Sequence, residues 1–102
     1  MDIEPRFEIG QVVVHKTFGY RGVIIAVDPA FSGSAEWYER VARTKPRLDR
    51  PWYHVLVAGA RHSSYVQEAK LTDDSEAPIW HPHLAAYFDE WRGDRYVRTR
   101  AS

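Results

Sequence analysis

The stretch Gln11 to Phe31, QVVVHKTFGYRGVIIAVDPAF, decides the fold of this chain. It holds two apolar runs, Val12 to Val14 and Val23 to Val27, on either side of a turn that contains two glycines. Runs this short and this rich in β-branched residues are typical of strands. Pro29 ends the second run because proline cannot donate to a strand ladder. The stretch predicts two strands, over about 11–17 and 21–28.

The same signals predict further strands along the chain. WYHVLV is apolar nearly throughout and predicts a third strand over 52–57, followed by a turn and a fourth strand over 62–66. A short turn and a fifth pairing are expected within 67–71. Ser34 can cap a helix with Glu36 in its first turn. We therefore predict one short helix, over about 35–42, in the loop between the second and third strands.

A second helix is predicted near the end of the chain. Pro82 suits the first turn of a helix, and Gly93 would end it. The apolar residues between them fall at i, i+3, i+4 and i+7, which is the spacing of one helical face: Leu84, Tyr87, Phe88 and Trp91. A stripe of this length most often covers a core, here one opening of a barrel; the alternative is a site for a partner.

Length and composition indicate one globular domain. The chain has 102 residues, of which 44% are hydrophobic and 27% charged, an ordinary balance for a single core. We assign a flexible lead-in to 1–6, one domain to 7–92 and an Arg-rich tail to 93–102. Aromatic residues are abundant at 14%; they either fill the core or form an exposed recognition face.

Cysteine is absent, which excludes a disulfide, a thiolate nucleophile and a cysteine-ligated metal. The start of the chain is acidic and has no apolar segment, so it does not predict a signal peptide. The longest apolar runs fall far short of a membrane span. These features favour a cytoplasmic location.

The charges are balanced overall but unevenly spread. Fourteen basic and 14 acidic residues give a formal net charge of zero, which weakens a simple nucleic-acid interpretation because phosphate affinity comes from excess Lys and Arg. Residues 39–51, however, hold five basic residues against two acidic ones, and 92–100 hold four arginines against one aspartate. Such a surface can bind an anion locally while the protein stays neutral.

Three residues near the first turn are candidate anion contacts. His15 and Lys16 end the first strand and form a pair that would suit an anion; a solvated strand edge is the alternative. Arg21 lies in the glycine-bracketed turn, from which a long side chain can project as a binding group. The alternative for Arg21 is a structural role, either bridging to Asp28 or stacking on Tyr20. From the basic loop, local charge adds three candidate DNA contacts: Arg40, Arg43 and Arg47.

No constellation of residues predicts catalysis or a cofactor. Nothing places a nucleophile beside a base, and the glycines lack the spacing of a phosphate loop. His81 and His83 are two potential metal ligands with no third in view, which is a weak signal. We therefore predict a binding protein rather than an enzyme, with neither metal nor cofactor.

Several segments together resemble the YccV-like family, also called the HspQ or hemimethylated-DNA-binding family. The resemblance covers most of residues 7–90 and lies in the order and spacing of five segments: Phe7–Val13 with His15, Tyr20–Ile24, Val27–Phe31, Pro51–Val57 and Tyr65–Leu71. His81-Pro82 followed by Tyr87-Phe88 is similar to the longer bacterial members. Lys70 departs from the family pattern, in which asparagine is common at that position.

The resemblance implies a mainly β fold, an SH3-like small β-barrel, in a bacterial cytosolic protein linked to heat stress. It implies binding of hemimethylated DNA or, as the alternative, a protein adaptor that assists degradation of clients such as the initiator DnaA by the Lon protease. It also implies a homotrimer. For the adaptor role we expect protein contacts from the arginines of the tail: Arg95, Arg98 and Arg100.

Overall fold

The computed structural model describes residues 4–31 and 50–99. Within them, five antiparallel strands form one sheet, in the order β4-β3-β2-β1-β5. These strands are β1 (Val12–His15), β2 (Arg21–Asp28), β3 (Trp52–Val57), β4 (Ser63–Gln67) and β5 (Leu71–Asp73). A second sheet pairs β6 (Glu90–Trp91) with β7 (Tyr96–Val97). The helices are one turn each: a 3-10 helix, Glu68–Lys70, and α1, Leu84–Tyr87.

The two most apolar predicted strands, 21–28 and 52–57, are confirmed to the residue as β2 and β3. β1 is shorter than predicted, and β4 begins and ends one residue later. The short turn expected within 67–71 is the 3-10 helix, and the fifth pairing begins there, at Leu71, and extends to Asp73. The helix predicted over 35–42 lies outside the described residues.

The fold is mainly β, as predicted, but the described strands do not form a closed barrel. β4 and β5 are the two ends of the five-stranded sheet. The pairing of β2 with β3 shifts register between Ile24 and Ala26, an irregularity of the kind that bends a strand. One side-chain contact links distant parts of the curved sheet, because the Tyr20 hydroxyl lies 2.7 Å from Oγ of Ser64 on β4.

The sheet buries apolar side chains on both faces, which explains why β1 to β3 are apolar nearly throughout. Neighbouring residues go to opposite sides: Val13 and Ile24 enter the first core, whereas Val12 and Val23 enter the second. The first core is completed by Phe7, Tyr53, Val55, Val66 and Leu71. The second core is completed by Leu56, Ile79, Phe88 and Tyr96.

The long C-terminal helix predicted from the apolar stripe is wrong. The helix stops after α1 because Phe88 has an extended backbone, with φ −138° and ψ 155°. The chain then forms the β6–β7 hairpin around Gly93, whose φ of 90° suits glycine. Phe88 and Tyr96 are thereby both buried in the second core. Among the described residues no helix is long and apolar enough to cross a membrane.

The hairpin is joined to the start of the chain, so ordered structure continues past residue 92, where the sequence places the end of the domain. The Tyr96 amide donates to the carbonyl of Gly10, and the Gly10 amide donates to that of Ile24, both at 2.8 Å. Gly10 has a φ of 94°, and a Cβ there would lie 2.0 Å from the Tyr96 carbonyl oxygen. The two chain segments can therefore approach this closely only because residue 10 is glycine.

Candidate nucleic-acid interface

The turn between β1 and β2 presents one large apolar ring to solvent. Phe18 is 77% exposed, the highest fraction among the exposed large hydrophobic side chains. The turn is closed by two backbone hydrogen bonds of 2.8 Å, from His15 to the carbonyl of Tyr20 and from Gly19 to the carbonyl of His15. Gly19 has a φ of 75°, which the turn needs and glycine permits. The ring is therefore held on a defined loop.

His15 organises this turn from below. It is buried, and its Nδ1 accepts hydrogen bonds from the amides of Thr17 and Phe18, both at 3.1 Å. Its ring stacks on those of Phe18 and Tyr20, with centroid distances of 4.7 and 5.1 Å. Burial, and secondarily the nearby Lys70 ammonium, lower the pKa of His15. His15 thus supports the turn in its neutral form, with Nδ1 engaged by two amides of the turn itself.

Two lysines lie at the base of the turn that carries Phe18. Lys16 is exposed, and its amide donates to the carbonyl of Lys70 at 2.8 Å, which sets the two residues side by side where β1 meets β5. We name Lys16, Phe18, Tyr20 and Lys70 the turn surface. It combines two cations with an exposed aromatic ring.

Two arginines lie beside the start of the 3-10 helix. Arg6 and Arg50 line a cavity of about 280 Å³ together with Gln67, Glu68 and Ala69. Oε2 of Glu68 is already engaged, because it accepts hydrogen bonds from the Tyr53 hydroxyl at 2.6 Å and the Arg6 amide at 2.9 Å. Burial and this carboxylate raise the pKa of Tyr53, so the phenol remains the donor.

Arg21 has a structural role. Its Nε lies 2.5 Å from Oδ2 of Asp74, and its guanidinium also donates to three backbone carbonyls, the closest being that of Ala77 at 2.6 Å. The contact with Asp74 ties the start of β2 to the loop after β5. The partner of Arg21 is thus Asp74, and not Asp28 or Tyr20, the two partners considered from the sequence. The sequence did not indicate Asp74 because it lies 53 positions away from Arg21.

The tail arginines also bond within the chain. Arg95 pairs with Glu8 at 2.5 Å. Arg98 donates to the carbonyls of Ala86 and Tyr87 at the end of α1, where helix carbonyls lack partners of their own. The other predicted site residues lie outside the described part of the chain: Arg40, Arg43, Arg47 and Arg100.

A second surface of different character lies beneath the C-terminal hairpin. Phe88 and Tyr96 form the floor of an open groove of about 600 Å³, with Trp80 and Trp91 among its other aromatic lining residues. Trp80 is 65% exposed. The charged side chains that line the groove are two carboxylates, Asp89 and Glu90. We name these six residues the acidic groove.

The histidines near this groove are engaged in hydrogen bonds. His81 is buried; its Nδ1 accepts from the amide of His83 at 3.0 Å, and its Nε2 lies 3.1 Å from the carbonyl of His62. Both ring nitrogens are therefore used by the backbone. Within residues 4–31 and 50–99, no group of three His, Asp or Glu side chains is placed to hold a metal ion.

Of the residues of the turn surface, the sequence analysis named Lys16 as a candidate contact, but neither Phe18 nor Lys70. Phe18 carried a usable signal, because an apolar ring between Thr17 and Gly19 in a tight turn has few ways to be buried. Lys70 carried none, since it meets Lys16 only through the pairing of β1 with β5. Lys70 therefore joins the turn surface only because β1 pairs with β5.

The fold and these surfaces define a small antiparallel β protein that presents a basic, aromatic turn on a rigid sheet. The family model described as "Hemimethylated DNA-binding protein YccV like" matches residues 5–95. The chain belongs to this YccV-like family, as the resemblance indicated. The match includes the turn between β1 and β2, the 3-10 helix and β6, and it ends just before β7.

Proposed function

We propose that the protein binds hemimethylated DNA through the turn surface. The family description supports the ligand, and the observation that carries the placement is Phe18, 77% exposed on a turn braced by a buried histidine. The lysines at the base of the turn supply the charge that DNA binding needs. A neutral protein can bind a polyanion at such a surface because the local charge, rather than the net charge, meets the phosphates.

The parts of the turn surface divide into two roles. Lys16 and Lys70 contact phosphates, which fixes the register of the protein on the duplex without reading sequence. Phe18 makes the apolar contact with a methyl group in the major groove, as aromatic side chains do with the methyl of thymine. Burying one methyl group is worth about 0.8 kcal/mol, or about a fourfold preference for a methylated site.

Further phosphate contacts come from beside the start of the 3-10 helix. Arg6 and Arg50 line the neighbouring cavity, and Arg50 continues the basic loop of the sequence. We include that loop's other candidates in the proposal: Arg40, Arg43 and Arg47. Each phosphate contact should contribute about 0.9 to the slope of log affinity against log salt concentration.

The test is fluorescence anisotropy with one duplex in unmethylated, hemimethylated and fully methylated forms, at low and physiological salt. We expect the wild type to prefer the hemimethylated over the unmethylated form about fourfold. Phe18→Ala should bind both forms equally, whereas Phe18→Leu should keep part of the preference. The fully methylated form shows whether the second methyl group, on the other strand, is tolerated.

Trp80→Ala is the matched control, because it removes a similarly exposed ring from the acidic groove. It should leave DNA binding unchanged. A methyl preference that survives in Phe18→Ala would remove Phe18 from the site. Equal, salt-sensitive binding of all three duplexes by the wild type would reduce the interaction to non-specific phosphate attraction.

We also propose that the five-stranded sheet is an SH3-like, partly open barrel. Support comes from the strand order, with β2 at the centre, and from the register shift between Ile24 and Ala26 in the pairing of β2 with β3, an irregularity of the kind that bends a strand. The Tyr20–Ser64 contact brings β4 towards the start of β2. An experimental structure in which β4 and β5 diverge, with no approach of the sheet ends, would contradict this assignment.

A protein adaptor is the second candidate function. The resemblance implies assistance to the Lon protease during heat stress, in the cytoplasm and as a homotrimer, and the exposed Trp80 favours a protein contact because tryptophan is enriched among interface anchors. Deleting residues 93–102 would remove the buried Tyr96 and cannot test the tail alone. The double variant Arg95→Ala with Arg98→Ala, assayed for stimulation of Lon, tests the tail without removing a core side chain.

A further inference from the structure

The acidic groove has a rigid aromatic floor. The Tyr96 and Phe88 rings lie 5.7 Å apart between centroids, and Tyr96 and Trp91 lie 4.8 Å apart. The Tyr96 hydroxyl donates to the carbonyl of Ile79 at 2.9 Å and accepts from its amide at 3.0 Å. This pair of bonds fixes the hairpin against the segment that carries Trp80. The floor is therefore preformed.

The exposed wall of the groove is held by the backbone. The carbonyl of Trp80 accepts a hydrogen bond of 2.8 Å from the amide of Gly59, in the turn after β3. Trp80 also stands between Ile79, which is bound by Tyr96, and the buried His81. Its main chain is thus fixed while its indole ring is 65% exposed. A ring in this state can cover a ligand at little cost in conformational entropy.

The charged side chains that line the groove are acidic. Asp89 and Glu90 line it, and no Lys or Arg is among its described lining residues. Glu90 pairs with Arg92 at 2.7 Å, but both side chains are about half exposed, so the bond is weak and an incoming cation can replace it. Oδ1 of Asp89 accepts hydrogen bonds from the amide and the hydroxyl of Thr99. Carboxylates repel phosphates but attract ammonium and guanidinium groups, which also bind favourably over the face of tryptophan. The groove therefore suits a cation attached to an apolar chain.

We propose that the acidic groove binds an extended peptide segment of a protein partner in which a basic side chain stands next to an aliphatic one. The aliphatic group covers Phe88 and Tyr96, and the cation lies over Trp80 within reach of Glu90. The proposal does not depend on DNA binding. It deepens the adaptor function by naming the chemistry of the segment recognised, and its test measures peptide binding without a protease, so the two can fail separately.

The probe is an acetylated ten-residue peptide with Lys-Leu-Lys at the centre of a Gly/Ser background. It is compared with peptides that carry Glu-Leu-Glu or Lys-Ser-Lys at the same place. The readout is the indole N–H signals of the full chain in ¹H–¹⁵N NMR. With the Lys-Leu-Lys peptide, we expect the signals of Trp80 and Trp91 to shift saturably while that of the buried Trp52 stays in place. The other two peptides should bind at least about threefold more weakly, because each lacks one of the two contacts.

Two variants locate the contacts. Trp80→Ala should weaken the Lys-Leu-Lys peptide about threefold to fivefold, in line with an exposed cation–π contact. Glu90→Gln should weaken it about twofold and reduce its salt dependence. Phe18→Ala is the matched control and should leave peptide binding unchanged, since its ring belongs to the turn surface.

Three results would overturn the proposal. Equal binding of the Lys-Leu-Lys and Glu-Leu-Glu peptides would make the groove a non-selective apolar patch. Self-association at the concentrations used, detected by sedimentation and abolished by Trp80→Ala, would show that a second copy of the chain is the occupant. Displacement of the peptide by duplex DNA, with Trp80 shifting in the DNA complex, would assign the groove to nucleic acid.

Discussion

The turn surface and the acidic groove each present one aromatic ring, but in opposite electrostatic surroundings. Phe18 and Trp80 are 77% and 65% exposed. Lys16 and Lys70 lie at the base of the turn that carries the first ring, whereas Asp89 and Glu90 line the same groove as the second. An exposed ring alone predicts contact with some partner; the charges around it select the chemical class. A chain with no net charge can therefore hold a surface for a polyanion and another for a cation.

The two surfaces also differ in how they are supported. The turn surface rests on local contacts, in which one buried histidine holds two amides of its own turn. The groove rests on long-range contacts, since Tyr96 bonds to Ile79 and to Gly10. Substitutions should therefore disturb one surface without the other, and the following predictions test that independence in order of decreasing effect.

Reversing both lysines of the turn surface should have the largest effect. Lys16→Glu with Lys70→Glu replaces two attractive contacts by two repulsive ones, and DNA affinity at low salt should fall about 100-fold. The control, Arg92→Glu with Arg95→Glu, changes the net charge equally but within the C-terminal hairpin. Anisotropy measures both; an equal loss in the two variants would mean that DNA responds to net charge alone.

Removing one hydroxyl should weaken the groove and spare the turn. Tyr96→Phe leaves the buried amide and carbonyl of Ile79 without their partner, which should cost about 1–3 kcal/mol of unfolding free energy. Urea denaturation measures the loss, and peptide affinity should fall with it. Tyr20→Phe, which removes a half-exposed contact with Ser64, should cost less. Unchanged stability of Tyr96→Phe would show that water replaces the hydroxyl.

Acid should weaken the support of the turn. Burial lowers the pKa of His15 below its usual 6.5. Just below pH 6.5, His15 is therefore protonated in the unfolded chain but still neutral in the folded one. The stabilisation is complete above about pH 6.5 and is lost as the pH falls towards the folded-state pKa. His15→Asn keeps an acceptor without titrating, so the stability difference between variant and wild type should change below pH 6.5. A pH-independent difference would mean that His15 does not contribute to the acid response.

The smallest effect should come from freeing a carboxylate of the groove. Arg92 pairs with Glu90, and the two side chains are 56% and 47% exposed, so the bond is weak. Arg92→Ala should raise affinity for the Lys-Leu-Lys peptide about twofold, because Glu90 no longer pairs with Arg92 and its carboxylate can pair with a lysine of the peptide. Arg95→Ala, whose partner is Glu8, is the control and should have no effect. Weaker binding by Arg92→Ala would place Arg92 itself in the peptide site.

An element could be predicted from the sequence when the residues that determine its structure lie within it, and not when they are distant in sequence. β2 and β3 were predictable because their β-branched runs are buried on both faces. The C-terminal hairpin was not predictable, because the spacing of Phe88 and Trp91 fits a helix as well as it fits the observed hairpin. The position of Tyr96 depends on its hydrogen bond to Gly10, which is distant in sequence. A usable signal did exist: RGDR followed by Tyr96 and Val97 is the composition of a turn and a strand.

The candidate site divides in the same way. Lys16 could be predicted as a charge beside a turn, and the family could be predicted from ordered segments. The pairing of Arg21 with Asp74 and the approach of Lys70 to Lys16 depend on strand order, which no single segment encodes. Charge and spacing thus identified the candidate residues, while topology determined which of them, such as Arg21 and Arg95, have partners within the chain.

The contact between Gly10 and Tyr96 also determines the order in which the two surfaces can form during synthesis of the chain. The five-stranded sheet and its turn surface are complete once residue 73 has been made, whereas the groove waits for residue 96. At about 5–20 residues per second of synthesis, the delay is about 1–5 s. During that interval Val12, Val23 and Leu56 on the second face lack their cover. The hairpin, which is synthesised last, therefore covers an apolar face that is exposed in the incomplete chain. A chain whose translation stops before Tyr96 should be prone to aggregate.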